Sequence, residues 1–463
     1  MNIVVSNDII IITDPSVTLL SKVTAQLCYT DKSKKYQLRR MGRNLWQRNS
    51  PLYKQLQSEV DGKLYDIDNN VLTFSSCFYD VFKDDLIGHN VVDRRHDTGK
   101  TIALPWVNKP YPLRDYQEEA VQLMMSSHRG VINFATGLGK TLVAAHMIKR
   151  YKKRALIVCP SDSVAKQFHE LLTDVFGKNK IGFYGGGKKK IGDITIGIAA
   201  SVVKGVADFV AADIGLVIVD ETHHTPANTF FDISRGLAST GKIFGLTATD
   251  YRSDGKDIMI TGGCGPVLIR RDIKWGVENG WLAEPYFIVR EVDTKGRDFK
   301  DDKLKSYKEH VLNCQVMKNR ILADARSMMS TGKSVLILVD EVVHGRELSK
   351  DLGIPFATGL DKKSQEYVHQ LNKGKIPGLV GTDSKIGEGV DTKNVDCLIL
   401  ANFVASKGPV TQAVGRGLRK QGIKTKCLIL DYIPMGSTML SRHGKNRIGF
   451  YQEITDKVKV IKI

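Results

Sequence analysis

The sequence predicts two tandem α/β domains, each a parallel sheet flanked by helices, behind a small α+β domain at the N-terminus. Three observations carry this reading. Short apolar runs alternate with helix-patterned stretches from the middle of the chain onward, and the series starts afresh after residue 303. Alternation of this kind implies parallel strands with helices on both faces. One apolar run ending at Phe134 stops at a glycine-rich turn and passes directly into an amphipathic stretch, 142–152. The first 108 residues differ from the rest, basic over 32–54 and acidic over 61–97. The expected boundaries are 1–108 for the accessory domain, 109–272 and 273–435 for the α/β domains, and 436–463 for a basic tail.

Taken in order, 2–13 is rich in Ile and Val and reads as strand. The basic stretch that follows holds Lys34, Lys35, Arg39, Arg40, Arg43 and Arg48, with Tyr36, Trp46 and Tyr53 among them. Basic side chains neutralise phosphates and aromatics stack on bases, so Arg39, Arg40 and Arg43 are candidate nucleic-acid contacts. The alternative is a solvated helix face with aromatics turned to the core. Residues 105–112 read as a linker. A helix then opens at Leu113-Arg114-Asp115-Tyr116-Gln117, with Ala120, Leu123 and Met124 at helical spacing. In the first α/β domain the strands are 155–159, 195–200, 216–219 and 243–246, with a helix over 164–176 and a flexible basic turn at 185–190. In the second, 303–329 is one long helical pattern, and strands fall at 335–339, 379–380, 397–400 and 427–430. The tail reads as a closing helix and strand.

The net charge of +18 over 463 residues favours a polyanionic partner. No apolar run approaches the ~20 residues of a membrane span, so nucleic acid is favoured over an anionic membrane. The seven cysteines are scattered without a CxxC pair; they are expected as reduced, mostly buried thiols, and the compartment as cytoplasmic.

The chemistry concentrates in a few stretches. At Thr136-Gly137-Leu138-Gly139-Lys140-Thr141, backbone N–H groups in a turn and at a helix start converge on anionic oxygen. Lys140 reaches the outer phosphates of a nucleotide and the Thr141 hydroxyl holds Mg²⁺. The strict pattern wants a glycine where Phe134 stands, so the motif is imperfect. Asp220-Glu221-Thr222-His223 follows an apolar strand, at the end where α/β sheets bind ligands. Asp220 is expected to hold Mg²⁺, and Glu221 to act as general base on the attacking water. Leu246-Thr247-Ala248-Thr249 ends the next strand. In the second domain, Gln412-Ala413-Val414-Gly415-Arg416-Gly417-Leu418-Arg419 places two arginines three apart on one helix face, suited to a transferring phosphoryl group. Gly381-Thr382-Asp383 and Gly387-Glu388-Gly389-Val390-Asp391 form a glycine-rich loop open to close backbone approach.

The order of these stretches resembles the superfamily 2 helicases of the DExH type, over about 111–433. Arg114 and Gln117 match the adenine-reading Q motif, 135–141 motif I, 157–168 motif Ia, 220–223 motif II and 246–249 motif III. Motifs IV, V and VI correspond to 335–339, 381–391 and 412–419. The resemblance implies two RecA-like domains binding ATP and Mg²⁺ in the cleft between them, with nucleic acid crossing both. It implies that Gln412, Arg416 and Arg419 reach the γ-phosphate, Thr382 the nucleic-acid backbone and Asp391 the ribose. Asp250, where many relatives carry proline, departs from the pattern. Arg252-Ser253-Asp254-Gly255, Gly280-Trp281-Leu282-Ala283-Glu284-Pro285, Arg442-His443-Gly444-Lys445 and Arg447-Ile448-Gly449-Phe450-Tyr451 are similar to a branch that includes XPB-like and phage UvsW-like helicases. That group remodels branched DNA, so the expectation is an ATP-dependent DNA helicase or translocase acting on junctions and forks in recombination or repair. The compact motor suggests a bacterial or phage-infected cytoplasm. The alternatives are an RNA helicase or the motor subunit of a restriction system.

Overall fold

A computed structural model describes the chain except residues 42–49, 110, 223–226, 250–253, 301, 359–362, 383–391, 393, 404 and 421–423. It forms two compact units. One comprises Met1–Phe134 with Gly139–Arg270, the other Arg271–Ile463 with Ala135–Leu138.

The first unit opens with β1 (Asn2–Val5) and β2 (Ile9–Thr13), an antiparallel hairpin where the sequence reads as one strand. The short strands β3 (Cys28–Thr30) and β4 (Asp61–Lys63) pair separately. β5 (Tyr65–Asp68), β6 (Val71–Ser75) and β7 (Asn90–Asp93) complete a mixed sheet in the order β5-β6-β2-β1-β7. Alternate residues of β1, β2 and β6 (Ile3, Val5, Ile10, Ile12, Leu72, Phe74) pack with Leu19, Val23, Phe78 and Phe82 into a small core, the period-two burial expected of a one-sided sheet. The helix Lys32–Met41 carries the first part of the basic stretch. Residues 105–109, which the sequence reads as a linker, are largely exposed but tied down at two points: Trp106 stacks on Phe176 at 4.8 Å, and the Val107 N–H donates to the Val175 carbonyl at 2.8 Å.

The remaining strands of this unit are β8 (Arg129–Phe134), β9 (Ala155–Cys159), β10 (Ile181–Gly185), β11 (Lys188–Lys190), β12 (Ile194–Ile198), β13 (Leu216–Asp220), β14 (Lys242–Thr247) and β15 (Val267–Arg271). They form a sheet ordered β11-β10-β12-β9-β13-β14-β8-β15. From β10 to β8 the pairing is parallel. β8, β9, β13 and β14 are buried along their whole length, as strands covered on both faces must be. Helices Lys140–Tyr151 and Asp162–Phe176 flank it.

The second unit contains β16 (Glu284–Val292), β17 (Val335–Val339), β18 (Phe356–Ala357), β19 (Gly378–Thr382), β20 (Cys397–Ala401), β21 (Lys426–Pro434) and β22 (Val458–Lys462). The sheet order is β18-β19-β17-β20-β21-β16-β22, parallel throughout. The long helical pattern over 303–329 is broken: Lys303–Tyr307 runs into a π-turn over Lys308–Leu312, and a new helix spans Gln315–Ser330. The tail is integral to this unit. Its helix Thr438–Ile454 buries Arg447 against Asp431 with N–O distances of 2.7 and 2.9 Å, and β22 joins the sheet beside β16. Among the described residues, no helix is long and apolar enough to cross a membrane. Six cysteines are buried, and Cys28 is exposed.

Candidate nucleotide site and its relatives

In the first unit the C-terminal ends of β8, β13 and β14 lie side by side. After β8 the chain makes a four-residue loop, in which Thr136 is half-buried and Gly137 is exposed at φ +93. Gly139, at φ +84, is the N-cap of the helix Lys140–Tyr151. Both glycines occupy left-handed backbone that side chains disfavour. Gly139 is constrained further, since a Cβ there would stand 2.4 Å from the Gln117 side-chain nitrogen. Gln117 is nearly fully buried on the helix Asp115–Ser126. Its Oε1 accepts the Arg114 N–H at 3.0 Å, so the amide joins the helix start to the phosphate loop. The Arg114 side chain is exposed and donates to the Tyr116 hydroxyl at 3.0 Å.

Lys140 donates to the carbonyl of Phe134 at 3.2 Å and pairs with Glu221 at 3.4 Å. The carbonyl contact gives Phe134 a part in the site that no motif reveals, because any residue supplies a carbonyl. Thr141 follows on the same helix, half-buried. Asp220, the last residue of β13, is 6 % exposed. Burial, and then the charge of Glu221, push its carboxyl up to about 7, with Lys140 pulling the other way. Its Oδ1 is buried without a hydrogen-bond partner among the described residues. An ionised oxygen so placed requires a cation or a water. A hard divalent ion held by one carboxylate, a hydroxyl and substrate phosphates matches this donor set.

Glu221 adopts φ +47, a left-handed conformation that costs a non-glycine residue about 1–2 kcal/mol. Strain of this kind persists where the surroundings over-determine it, and it gathers at functional sites. Thr222 is fully buried behind it. A Cβ on Gly245 of β14 would meet the Thr222 methyl at 2.8 Å, so the glycine lets the two strand ends approach. A glycine inside an apolar strand is the available sequence signal for that approach. The Thr247 hydroxyl accepts the Thr249 N–H at 3.1 Å and closes the turn after β14.

The other candidates divide as follows. Thr382 is buried at the end of β19. Gln412 and Arg416 lie on the helix Lys407–Gly417, Gln412 half-buried and Arg416 buried. Arg419 lies beyond the end of that helix, which Leu418 caps, so the two arginines do not both stand on it, a correction to the spacing argument. Arg39 is exposed on the helix Lys32–Met41. The side chain of Arg40, together with Arg43, His223, Asp250, Arg252 and Asp391, lies outside the described residues.

Comparison with known proteins adds the following. The family model described as "Type III restriction enzyme, res subunit" matches residues 110–252. "DNA 3'-5' translocase XPB2" of Sulfurisphaera tokodaii is 24% identical over 392 residues, covering 76% of this chain and 86% of the relative. Among solved structures, "ATP-dependent Type ISP restriction-modification enzyme LlaBIII bound to DNA" has a TM-score of 0.58 at 16% identity, covering 77% of this chain and 32% of that one. The chain is thus similar to proteins named as helicases and translocases. Its two parallel sheets are RecA-like. T4 UvsW aligns over 100% of this chain and 99% of its own, at 18% identity and a TM-score of 0.45. The chain spans only about half of some relatives, 52% of one from Saccharomyces cerevisiae and 55% of one from Halobacterium salinarum.

Proposed function

We propose that the chain is an ATP-dependent DNA helicase or translocase that remodels branched DNA, such as junctions and stalled forks. The observation that carries the nucleotide half is Lys140 held 3.4 Å from Glu221, beside a buried Asp220 oxygen without a protein partner among the described residues. Lys140, Gly137, Gly139 and Thr136 bind the phosphates, Arg114 and Gln117 read the base, and Asp391 meets the ribose. Thr141 and Asp220 hold Mg²⁺, which when bound screens the phosphate charge and polarises the bond to be broken. Glu221 orients the attacking water and takes its proton. Gln412, Arg416 and Arg419 stabilise the charge that develops on the transferred group.

The DNA half is supported by the net charge of +18, by a basic helix on the small N-terminal domain, and by the names of the relatives. Thr382, Arg39, Arg40 and Arg43 are the proposed contacts. A second reading, the motor of a restriction system, is favoured by the matched family model. The test is ATP hydrolysis without nucleic acid and with single-stranded DNA, a four-way DNA junction or duplex RNA at matched nucleotide concentration. Strongest stimulation by the junction, abolished in Lys140→Ala, is expected. Preference for RNA, or for plain duplex over the junction, would overturn the branched-DNA assignment.

A further inference from the structure

β10 and β11 are joined by Gly186 and Gly187, both left-handed at φ +56 and +81. Two such residues make the hairpin turn that suits twisted antiparallel strands, so the stretch is a defined hairpin and not the loose turn its composition suggests. A Cβ on either glycine would meet nothing within 4 Å: the tip is bare backbone facing open space. Beyond it Lys188, Lys189 and Lys190 are all exposed and pair with Gly185, Tyr184 and Phe183. Alternation along the strand sends Lys188 and Lys190 to one face and Lys189 to the other. None of the three pairs with a carboxylate among the described residues, whereas nearby Lys180 is neutralised by Asp193 at 2.8 Å. The hairpin therefore presents three positive charges without a carboxylate partner, two of them over aromatic rings, Lys188 over Phe183 and Lys189 over Tyr184, each at 5.9 Å.

Its position is informative. β10 runs parallel to β12, β9 and β13, so the hairpin emerges from the sheet edge at which Asp220 and Glu221 emerge from β13. β13 and β10 are three strand spacings apart, about 14 Å.

We propose that the Gly185–Lys190 hairpin is a contact surface for the DNA phosphate backbone, reading charge and not sequence. The proposal rests on the DNA-acting function proposed above and names a surface for it. Lysine on an edge strand also serves to block strand pairing between molecules, but that role asks for charge alone, without an open glycine tip at the ligand-binding end of the sheet.

The test is the combined substitution Lys188→Gln, Lys189→Gln and Lys190→Gln in the full chain. The glutamines keep the edge polar and the strand intact, and the melting temperature serves as the folding control. Fluorescence anisotropy with a labelled four-way junction is measured from about 50 to 200 mM salt, a range over which neutralised phosphates dominate affinity. The expected result is a slope of log K against log salt shallower by about 1–3, since each phosphate that a lysine no longer neutralises takes about 0.9 from it. Binding should weaken by roughly tenfold near 0.1 M salt. The matching triple arginine variant should bind as wild type does. An unchanged slope in the glutamine variant, with wild-type melting, would overturn the proposal and leave the lysines as an edge guard. If the wild-type chain bound no DNA in the same titration, the proposed function would fall instead, a distinguishable outcome.

Discussion

Replacing Glu221 by Gln separates two roles that fall to one carboxylate. Glu221 sits 3.4 Å from the Lys140 ammonium, with side-chain exposures of 18 % and 11 %. On the proposed function, a nucleotide phosphate must take Lys140 from Glu221. At that distance the gross attraction is about 5 kcal/mol for an effective dielectric of about 20, but desolvation of both groups offsets most of it. A net of about 1 kcal/mol is a reasonable remainder for a partly buried pair. Glu221→Gln should release Lys140 and tighten ATP binding by about fivefold. It also removes the neighbouring charge that helps push up the Asp220 carboxyl, which assists cation binding. Hydrolysis should fall by about 10²–10⁴, the usual contribution of a positioned general base. Titration with a fluorescent ATP analogue and steady-state phosphate release measure the two effects separately. Wild-type turnover would remove Glu221 from the base role. Weaker nucleotide binding would show that the ion pair positions Lys140 and does not compete for it.

Two further substitutions probe the second unit. Arg447 and Asp431 are 1 % and 0 % exposed in their side chains and bond through two oxygens, with the Tyr451 hydroxyl on the same carboxylate at 2.8 Å. Arg447→Met strands that carboxylate and should cost about 3–5 kcal/mol, lowering the calorimetric transition; the double change with Asp431→Asn should recover much of the loss, and a silent single variant would refute the argument. His344 is 2 % exposed, and burial holds its imidazole down at about 4. The unfolded chain takes up a proton below about 6.5 that the folded chain refuses until about pH 4, so stability is lost as pH falls through that window, by up to about 3 kcal/mol. Urea midpoints at pH 7 and 5 should converge in His344→Gln; an unchanged gap would assign the acid limb to other groups.

How much of this is legible in the chain follows from what each element buries. Strands covered on both faces declare themselves as apolar runs, and Ala155–Cys159 and Val335–Val339 stand where their runs do. The closing helix and strand read in the tail are also present, at Thr438–Ile454 and Val458–Lys462, but Val-Lys-Val-Ile-Lys does not reveal that the strand joins the sheet beside β16. β11 is three lysines whose strand state depends on the glycine turn before it. The helix expected over 303–329 breaks because a π-turn interrupts it and Cys314 caps a new start, which side-chain periodicity does not register. Within the site, Lys140 and Glu221 stand in separate, readable stretches, and the fold brings them together. The Gln117–Gly139 and Thr222–Gly245 approaches are not visible in the sequence, since each depends on the absence of a Cβ opposite a residue more than twenty positions away.

The N-terminal domain is the least readable part, and its attachment explains why it is more than an appendage. Arg129, at the start of β8, is 3 % exposed. It donates to the carbonyls of Asn7, Ala238, Gly241, Thr240 and His128 at 2.7–3.0 Å. A guanidinium stays charged even when buried; five carbonyl dipoles here replace the usual carboxylate, and one of them, that of Asn7, ties the small domain to the neighbouring sheet. A second joint lies at the basic helix. Asp31 accepts the N–H groups of Ser33 and Lys34 at 3.0 and 3.1 Å and pairs with Lys256 at 2.8 Å. The Lys32 N–H donates to the Asp254 carbonyl at 2.9 Å. The carboxylate that starts the helix is thus also its anchor, on the segment that follows β14 and the Thr247–Thr249 turn. If the helix contacts phosphate as proposed, a free hinge would cost it much of that attraction through the entropy of being ordered. A helix clamped at its first turn has that cost met during folding, and any displacement of the segment after β14 must carry the helix with it.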